Sequence, residues 1–123
     1  MNQEKRILCI EDDHFISELY VRALEHIGLR VEKAISGIEG LQKLQSNQFQ
    51  AVIIDIMLPE MLGTDILKKI KQSGSDIKII IATNLDLEEE KRDLIEQQVD
   101  AYVIKADITP GKLSEIVRGL IED

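Results

Sequence analysis

Acidic side chains follow two apolar runs of the sequence. Glu11 and Asp12 come directly after the run at residues 6–10, and Asp55 ends the run at residues 51–55. If these three carboxylates converge, each pair about 4 Å apart at an effective dielectric near 20 repels by roughly 4 kcal/mol, so the cluster favours a bound cation. An all-oxygen donor set suits Mg²⁺ or Mn²⁺ rather than zinc. The residues therefore predict a site for a hard divalent cation.

A hydroxyl and an ammonium group end two further apolar runs. Thr83 ends "KIIIAT" and Lys105 ends "AYVIK". Taken alone, a lysine at a strand end is expected to be exposed and to contribute little to stability. A metal, an ammonium and a hydroxyl around one carboxylate are, however, the groups that phosphoryl transfer requires. We therefore predict that Asp55 is a nucleophile that forms an acyl phosphate.

Five short runs rich in Ile and Val alternate with helical patterns, which predicts βαβ units and a parallel sheet. The second run, "RVEKAI", is interrupted by charge and suits an edge strand, whereas the other four are nearly continuous and suit strands covered on both faces. Right-handed crossovers then favour an open, doubly wound α/β sheet that binds ligands at the carboxyl ends of its strands. The predicted strands are residues 6–10, 30–35, 51–55, 78–83 and 101–105.

One wide apolar stripe predicts the first helix, which Gly28 ends. "SGIE" at residues 36–39 is typical of a capping box for the second helix, the third covers about residues 64–73, and "DLEE" at residues 86–89 predicts the start of the fourth. "TP" at residues 109–110 predicts a cap and a first-turn proline for the fifth. The stripe of the first helix consists of Phe15, Ile16, Leu19, Tyr20, Ala23, Leu24 and Ile27.

The composition is that of an ordinary globular domain, with 44% hydrophobic and 31% charged residues in 123. We expect one domain over residues 1–123, with an ordered core at about 5–122 and no output domain. A net charge of −8 argues against binding to nucleic acid or acidic membranes. The start lacks a signal peptide, no run is long enough to span a bilayer, and the single Cys9 is expected in the core, so we expect a cytoplasmic location.

Four segments together are similar to one known family. "CIEDD", "IIDIMLPEMLG", "IIIATN" and "YVIK", in this order and spacing, resemble the receiver domain of two-component response regulators, of the single-domain type. The resemblance covers essentially the whole chain. It implies a flavodoxin-like (βα)5 fold with strand order 2-1-3-4-5 and five surrounding helices.

The resemblance also implies the roles of individual residues in a phosphorelay. Asp55 would be the phosphoacceptor for a histidine kinase or a histidine phosphotransfer protein. A magnesium ion would be bound by the side chains of Glu11, Asp12 and Asp55 and by the backbone carbonyl of Met57. The module would signal rather than act as an enzyme.

A second group of residues would carry the response. In the resemblance, Thr83 is the switch hydroxyl, Lys105 binds the phosphoryl group and Tyr102 is the switch aromatic. The surface made by the fourth helix, fifth strand and fifth helix would bind a downstream protein or a second copy of the chain, without DNA contact.

Two positions depart from the family pattern. Ala106 follows Lys105 where the family usually has proline, often after a cis bond; a non-proline cis bond costs about 3 kcal/mol, so a cis Lys105–Ala106 bond is not expected. Asn84 stands where the residue after the switch hydroxyl is usually small. Asn84 either narrows access to the phosphoryl group or forms a hydrogen bond within its loop.

Three alternative functions remain from the residues. A haloacid-dehalogenase-type phosphatase would need an acid two residues after Asp55, where Met57 cannot transfer a proton. A flavodoxin-type FMN carrier would need phosphate-binding groups in its first loop, whereas "EDDH" at residues 11–14 would repel a phosphate. A degenerate receiver that only binds proteins is disfavoured by the presence of Asp55, Thr83 and Lys105.

Overall fold

The fold alternates five strands with five helices. The structure, a computed structural model, describes residues 4–122; the predicted domain limits at residues 1–3 and 123 lie outside this range. A short 3₁₀ turn, Lys105–Asp107, connects the last strand to the last helix. The elements are β1 (Arg6–Ile10), α1 (His14–His26), β2 (Arg30–Ala34), α2 (Gly37–Ser46), β3 (Ala51–Ile54), α3 (Gly63–Gln72), β4 (Lys78–Thr83), α4 (Glu89–Glu96), β5 (Ala101–Ile104) and α5 (Pro110–Ile121).

The five strands form one parallel sheet in the order β2-β1-β3-β4-β5. The charged strand β2 lies at an edge, as predicted, and the flavodoxin-like order that the resemblance implied is confirmed. Ile10 pairs with both Ala34 and Ile54, and Thr83 pairs with Ile104. The carboxyl ends of the strands are therefore aligned, and the residues that follow them meet at one edge.

Alternate residues of each strand pack into two separate cores. Leu8, Val52 and Ile79 lie on the face covered by α2, α3 and α4, and Ile7 and Ile53 lie on the face covered by α1 and α5. Strands covered on both faces need continuous apolar runs, which explains the sequence pattern. Cys9 is fully buried in the second core, and burial raises the pKa of its thiol to about 12, so the expectation of a core cysteine is confirmed.

Three helix ends follow the predicted signals, at Gly28, Ser36 and Thr109. Gly28 adopts a positive φ of 90° just after α1, a conformation that glycine accommodates without strain. The Ser36 side chain accepts a hydrogen bond from the backbone of Glu39 at the start of α2. Thr109 likewise caps α5, with Pro110 at its first turn. No helix within residues 4–122 combines the length and the apolar character that a membrane crossing requires.

The predicted stripe of α1 is wider than the surface that the helix buries. Phe15 is 72% exposed and Leu19 is 37% exposed, whereas Ser17 and Val21 are buried beside Tyr20. The helix contacts the sheet and α5 through only part of its apolar stripe, and Phe15 and Leu19 lie on the part that is exposed.

The start of α4 also differs from the prediction. The helix begins at Glu89 after Glu88, which makes no side-chain capping bond, so "DLEE" does not begin the helix at Asp86. Leu85 and Leu87 are half-buried and pack against the core, which keeps the preceding segment in a loop. β2, β3 and β5 each end one residue earlier than predicted, and Lys105 consequently lies in the 3₁₀ turn.

Candidate functional site

Asp55 lies at the carboxyl end of β3, just beyond the last residue of the strand. Its backbone N–H donates to the carbonyl of Ile10 (3.2 Å), which continues the pairing of β3 with β1 by one residue. Its side chain is nearly buried, since the residue is only 6% exposed. A carboxylate in this position requires partners.

Three carboxylates converge at this edge of the sheet. Oxygens of Glu11, Asp12 and Asp55 all lie within 4.8 Å of one another, as the sequence predicted. Glu11 and Asp55 are buried and Asp12 is exposed, so the cluster opens to solvent on one side. Oxygen donors with an open side fit a hard divalent cation that retains several waters, as Mg²⁺ does.

The ammonium group of Lys105 bridges two of these carboxylates. Its Nζ donates to Asp55 Oδ2 (2.6 Å) and to Glu11 Oε1. The Lys105 side chain is only 8% exposed, so the expectation of an exposed lysine is wrong. Strand ends that are distant in sequence but adjacent in the sheet enclose the lysine, and this burial could not be read from local sequence.

Burial disfavours the charged form of both groups in this ion pair. Burial raises the pKa of Glu11 above its ordinary value, because a carboxylate loses hydration there. Burial also opposes the charge of Lys105, but its hydrogen bonds to Asp55 and Glu11 outweigh this effect and raise its pKa. The lysine is therefore held as a cation between the carboxylates at neutral pH.

The loop after β3 orients the Asp55 carboxylate from the other side. The backbone N–H of Met57 donates to Asp55 Oδ1 (3.2 Å), so each carboxylate oxygen has a donor. Gly63 passes very close to this loop, because a Cβ at residue 63 would lie 2.1 Å from the backbone oxygen of Asp55. This close backbone approach requires glycine at residue 63.

Thr83 is fully buried at the end of β4. Its Oγ1 accepts a hydrogen bond from the backbone N–H of Leu85 (3.1 Å), a local turn that holds the hydroxyl within its own loop. Thr83 is thus placed at the same sheet edge as the carboxylates, with its hydroxyl bonded to its own loop.

Tyr102 belongs to a different part of the molecule. It pairs with Ile81 across the sheet and packs against the core on the α4 side, with the Arg92 guanidinium 4.8 Å from its ring centre. Among the described residues its hydroxyl is buried without a hydrogen-bond partner. No described hydrogen bond joins Tyr102 to the carboxylate cluster.

One contact at the edge was left open by the sequence. The Asn84 side-chain oxygen accepts a hydrogen bond from the backbone N–H of Ala106 (2.8 Å), so Asn84 bonds to another loop rather than within its own. No cis peptide bond occurs in the described chain, and the Lys105–Ala106 bond is trans, as its cost predicts. The sequence signal was the pair of unusual residues at positions 84 and 106.

Comparison with known proteins agrees with this geometry. The family model for the response regulator receiver domain matches residues 7–118. The response regulators MprA of Mycobacterium sp. (strain KMS) and Mycobacterium avium (strain 104) are 31% and 30% identical to the chain over 112 residues, which is 91% of the chain. The chain spans about half the length, 47%, of these curated relatives.

Solved structures give the same result at the level of the fold. A CheY-like receiver domain protein from Methanospirillum hungatei JF-1 is 32% identical with a TM-score of 0.87, over 97% of this chain and 94% of the other. The response regulator TrrA from Thermotoga maritima, solved in complex with Mg²⁺ and BeF, is 33% identical with a TM-score of 0.82, over 94% and 98%. Because the family model matches residues 7–118, which include nearly the whole sheet and its helices, the chain belongs to the response regulator receiver domain family.

Proposed function

We propose that this receiver domain accepts a phosphoryl group on Asp55 from the phosphohistidine of a histidine kinase or phosphotransfer protein. One observation carries the proposal: the Lys105 ammonium is held against Asp55 beside two further carboxylates. A buried cation next to an open carboxylate cluster is suited to neutralise an incoming phosphoryl group. We place this exchange in the cytoplasm, as the family resemblance implies.

The chemistry is an in-line displacement at phosphorus. One Asp55 oxygen forms the new O–P bond as the P–N bond of the phosphohistidine breaks, and the released imidazole nitrogen takes a proton from solvent. The Met57 N–H and the Lys105 ammonium fix the carboxylate before the reaction. Lys105 then neutralises charge on the transferred oxygens.

The donor set fits a magnesium ion, which the Thermotoga structure also contains with BeF. Glu11, Asp12 and Asp55 would hold it together with the backbone carbonyl of Met57. When bound, it would offset negative charge on the phosphoryl oxygens. Lys105 already donates a hydrogen bond to one oxygen of Glu11 and to one oxygen of Asp55, so the exposed Asp12 is the most open ligand.

Transfer of a phosphoryl group from acetyl phosphate with Mg²⁺ tests the proposal. Intact mass should show one added phosphoryl group on the wild type and none on Asp55→Asn, because an amide is not a nucleophile here. Asp93→Asn makes the same change at an exposed position of α4 and should label normally. Labelling that persists in Asp55→Asn would place the phosphoacceptor elsewhere.

We further propose that phosphorylation changes the surface made by α4, β5 and α5. Thr83 would exchange its bond to Leu85 for one to the phosphoryl oxygens, and this would alter the packing of Tyr102 against Arg92. Support comes from the Tyr102 hydroxyl, which has no hydrogen-bond partner within residues 4–122, and from Leu94, which is 60% exposed on α4. A protein partner or a second copy of the chain would bind there.

Hydrogen exchange with and without beryllofluoride tests this assignment. Altered protection should concentrate between about residues 83 and 112, because the loop after Thr83 lies at the start of this range and α5 begins near its end. The control is Asp55→Asn, which should show no change on addition of beryllofluoride. A change confined to α1 and α2 would mean that this assignment of the responding surface is wrong.

A further inference from the structure

The hydrogen bond between Asn84 and Ala106 joins two loops that carry the polar groups of the site. Asn84 directly follows Thr83, and Ala106 directly follows Lys105. The donor exists because residue 106 is an alanine in a trans peptide, which has an N–H that a proline lacks. The bond thus links the residue after the hydroxyl to the residue after the ammonium.

This bond extends the sheet beyond its last backbone pair. The pairing of β4 with β5 ends at Thr83 and Ile104, and after that the two backbones lead into separate loops. The Asn84 side chain supplies the acceptor that the backbone of β4 no longer provides. Asn84 and Ala106 are both exposed, so packing contributes little and the hydrogen bond is the connection between the loops.

We propose that Asn84 is a positioning residue for phosphoryl transfer, acting through the turn that carries Lys105. The 3₁₀ turn Lys105–Asp107 is short. The backbone hydrogen bond that closes it, from the Ile108 N–H to the Lys105 carbonyl, is long at 3.5 Å. With the Asn84 bond in place, the backbone of Lys105 is fixed on both sides of its side chain. The inference rests on the proposed function, because it gives Lys105 its role there.

A different effect of Asn84 would be steric. A cleft of about 270 Å³ lies between α1 and the turn after β5, and Asn84 and Lys105 line it together with Leu19 and Tyr20. If Asn84 acts by filling space next to Lys105, an apolar side chain of the same size should replace it. If it acts by its hydrogen bond, that side chain should fail.

Asn84→Leu separates these two effects, since leucine has a similar volume and no acceptor. We expect the Ala106 amide, followed by NMR hydrogen exchange, to lose its protection in Asn84→Leu and in Asn84→Ala, and to keep it in Asn84→Asp, which retains an acceptor. The maximal rate of Asp55 labelling by acetyl phosphate should fall roughly two- to tenfold in the first two variants, with little change in the half-saturating concentration. Asn47→Leu, the same change at the exposed end of α2, should label like the wild type.

A double-mutant cycle with Lys105→Ala tests the route of the effect. If Asn84 acts through Lys105, Asn84→Leu should slow labelling no further in the Lys105→Ala background. If the Lys105→Ala protein is labelled too slowly for its rate to be measured, its affinity for beryllofluoride is measured instead. Wild-type behaviour of Asn84→Leu, retained Ala106 protection or independent effects of the two substitutions would each overturn the inference. Absence of labelling in the wild type would instead contradict the proposed function.

Discussion

Polar residues have different roles at the two ends of the strands, which we call the amino edge and the carboxyl edge of the sheet. At the amino edge, Gln50 and Asp100 each precede a strand and bind the neighbouring strand twice: the backbone N–H donates to a carbonyl and the side-chain oxygen accepts from an N–H. Gln50 binds Arg6 in this way, and Asp100 binds Ile79. At the carboxyl edge, Glu11, Asp55 and Lys105 bind one another through their side chains.

This difference shows how one sheet can separate stability from chemistry. The amino-edge side chains of Gln50 and Asp100 complete the backbone hydrogen bonding of the sheet. The carboxyl-edge side chains are buried charges whose partners are other charges, so they can be rearranged by a ligand. Asn84, at the carboxyl edge, resembles Gln50 and Asp100 instead, because its side-chain oxygen accepts a backbone N–H from the segment that follows the neighbouring strand.

The largest expected effect of these changes on stability is at Gly63. Its Cβ would lie 2.1 Å from the backbone oxygen of Asp55, and this backbone cannot move without displacing the carboxylate. We expect Gly63→Ala to lower the free energy of unfolding by more than about 3 kcal/mol in urea titrations.

The matched control for Gly63 is in α5. Nothing lies within 4 Å of a Cβ at Gly119, so Gly119→Ala should raise stability by about 1 kcal/mol through helix propensity. Equal effects of the two substitutions would show that the close approach at Gly63 is not a constraint.

Removal of the Lys105 charge should have the next largest effect. Lys105→Met keeps the apolar stem and leaves two buried carboxylates without their cation, so we expect a loss of about 3 kcal/mol at neutral pH without Mg²⁺. The pKa of Lys105 is raised above its ordinary 10.5, so its contribution is present at neutral pH and is lost only as the pH rises through that raised value. Millimolar Mg²⁺ should restore part of the loss.

Lys5→Met provides the comparison at the amino edge. Lys5 donates to a backbone carbonyl of α5 and pairs with no carboxylate among the described residues, so its removal should cost less than about 1 kcal/mol and should not respond to Mg²⁺. A cost for Lys105→Met as small as that for Lys5→Met would mean that the buried ion pair does not stabilise the fold.

Mg²⁺ itself should stabilise the wild type by a slightly smaller amount. A ligand that binds only the folded state adds about 2.7 kcal/mol at 100 times its Kd, and it also relieves repulsion among the carboxylates. Differential scanning calorimetry should show a higher Tm with Mg²⁺. Asp12→Ala should remove that response while raising the Tm of the metal-free protein slightly, and an unchanged Tm in both experiments would contradict the site.

The sequence predicted which acidic residues cluster better than it predicted their surroundings. Glu11, Asp12 and Asp55 could be grouped because residues that follow parallel strands meet at one edge. The burial of Lys105 could not be predicted, because Glu11 is 94 positions away and only the folded sheet places it beside the lysine. In the same way, the spacing of apolar residues in α1 identifies a helix, but it does not tell which part of the apolar stripe faces the sheet.

Local signals failed where tertiary packing outweighed them. The acidic run at residues 86–89 has the composition of a helix start, but Leu85 and Leu87 pack against the core and delay α4 to Glu89. Ser36 and Thr109 form the predicted caps, because each side chain accepts a hydrogen bond from a backbone N–H in the first turn of its helix.

A smaller effect than that of Mg²⁺ should come from the amino edge, at Asp100. Its Oδ2 accepts the N–H of buried Ile79 (2.8 Å), so Asp100→Ala leaves that N–H without a partner and should cost about 1 to 2 kcal/mol. Asp100→Asn retains an acceptor oxygen and should cost much less. If the two edges are separate in function, acetyl phosphate should label Asp55 of the Asp100→Ala protein at the wild-type rate. The measurement is made at a temperature well below the Tm of the variant. A rate reduced as strongly as in Asn84→Leu would show that hydrogen bonding at the amino edge also positions the site, and that stability and chemistry are not divided between the edges.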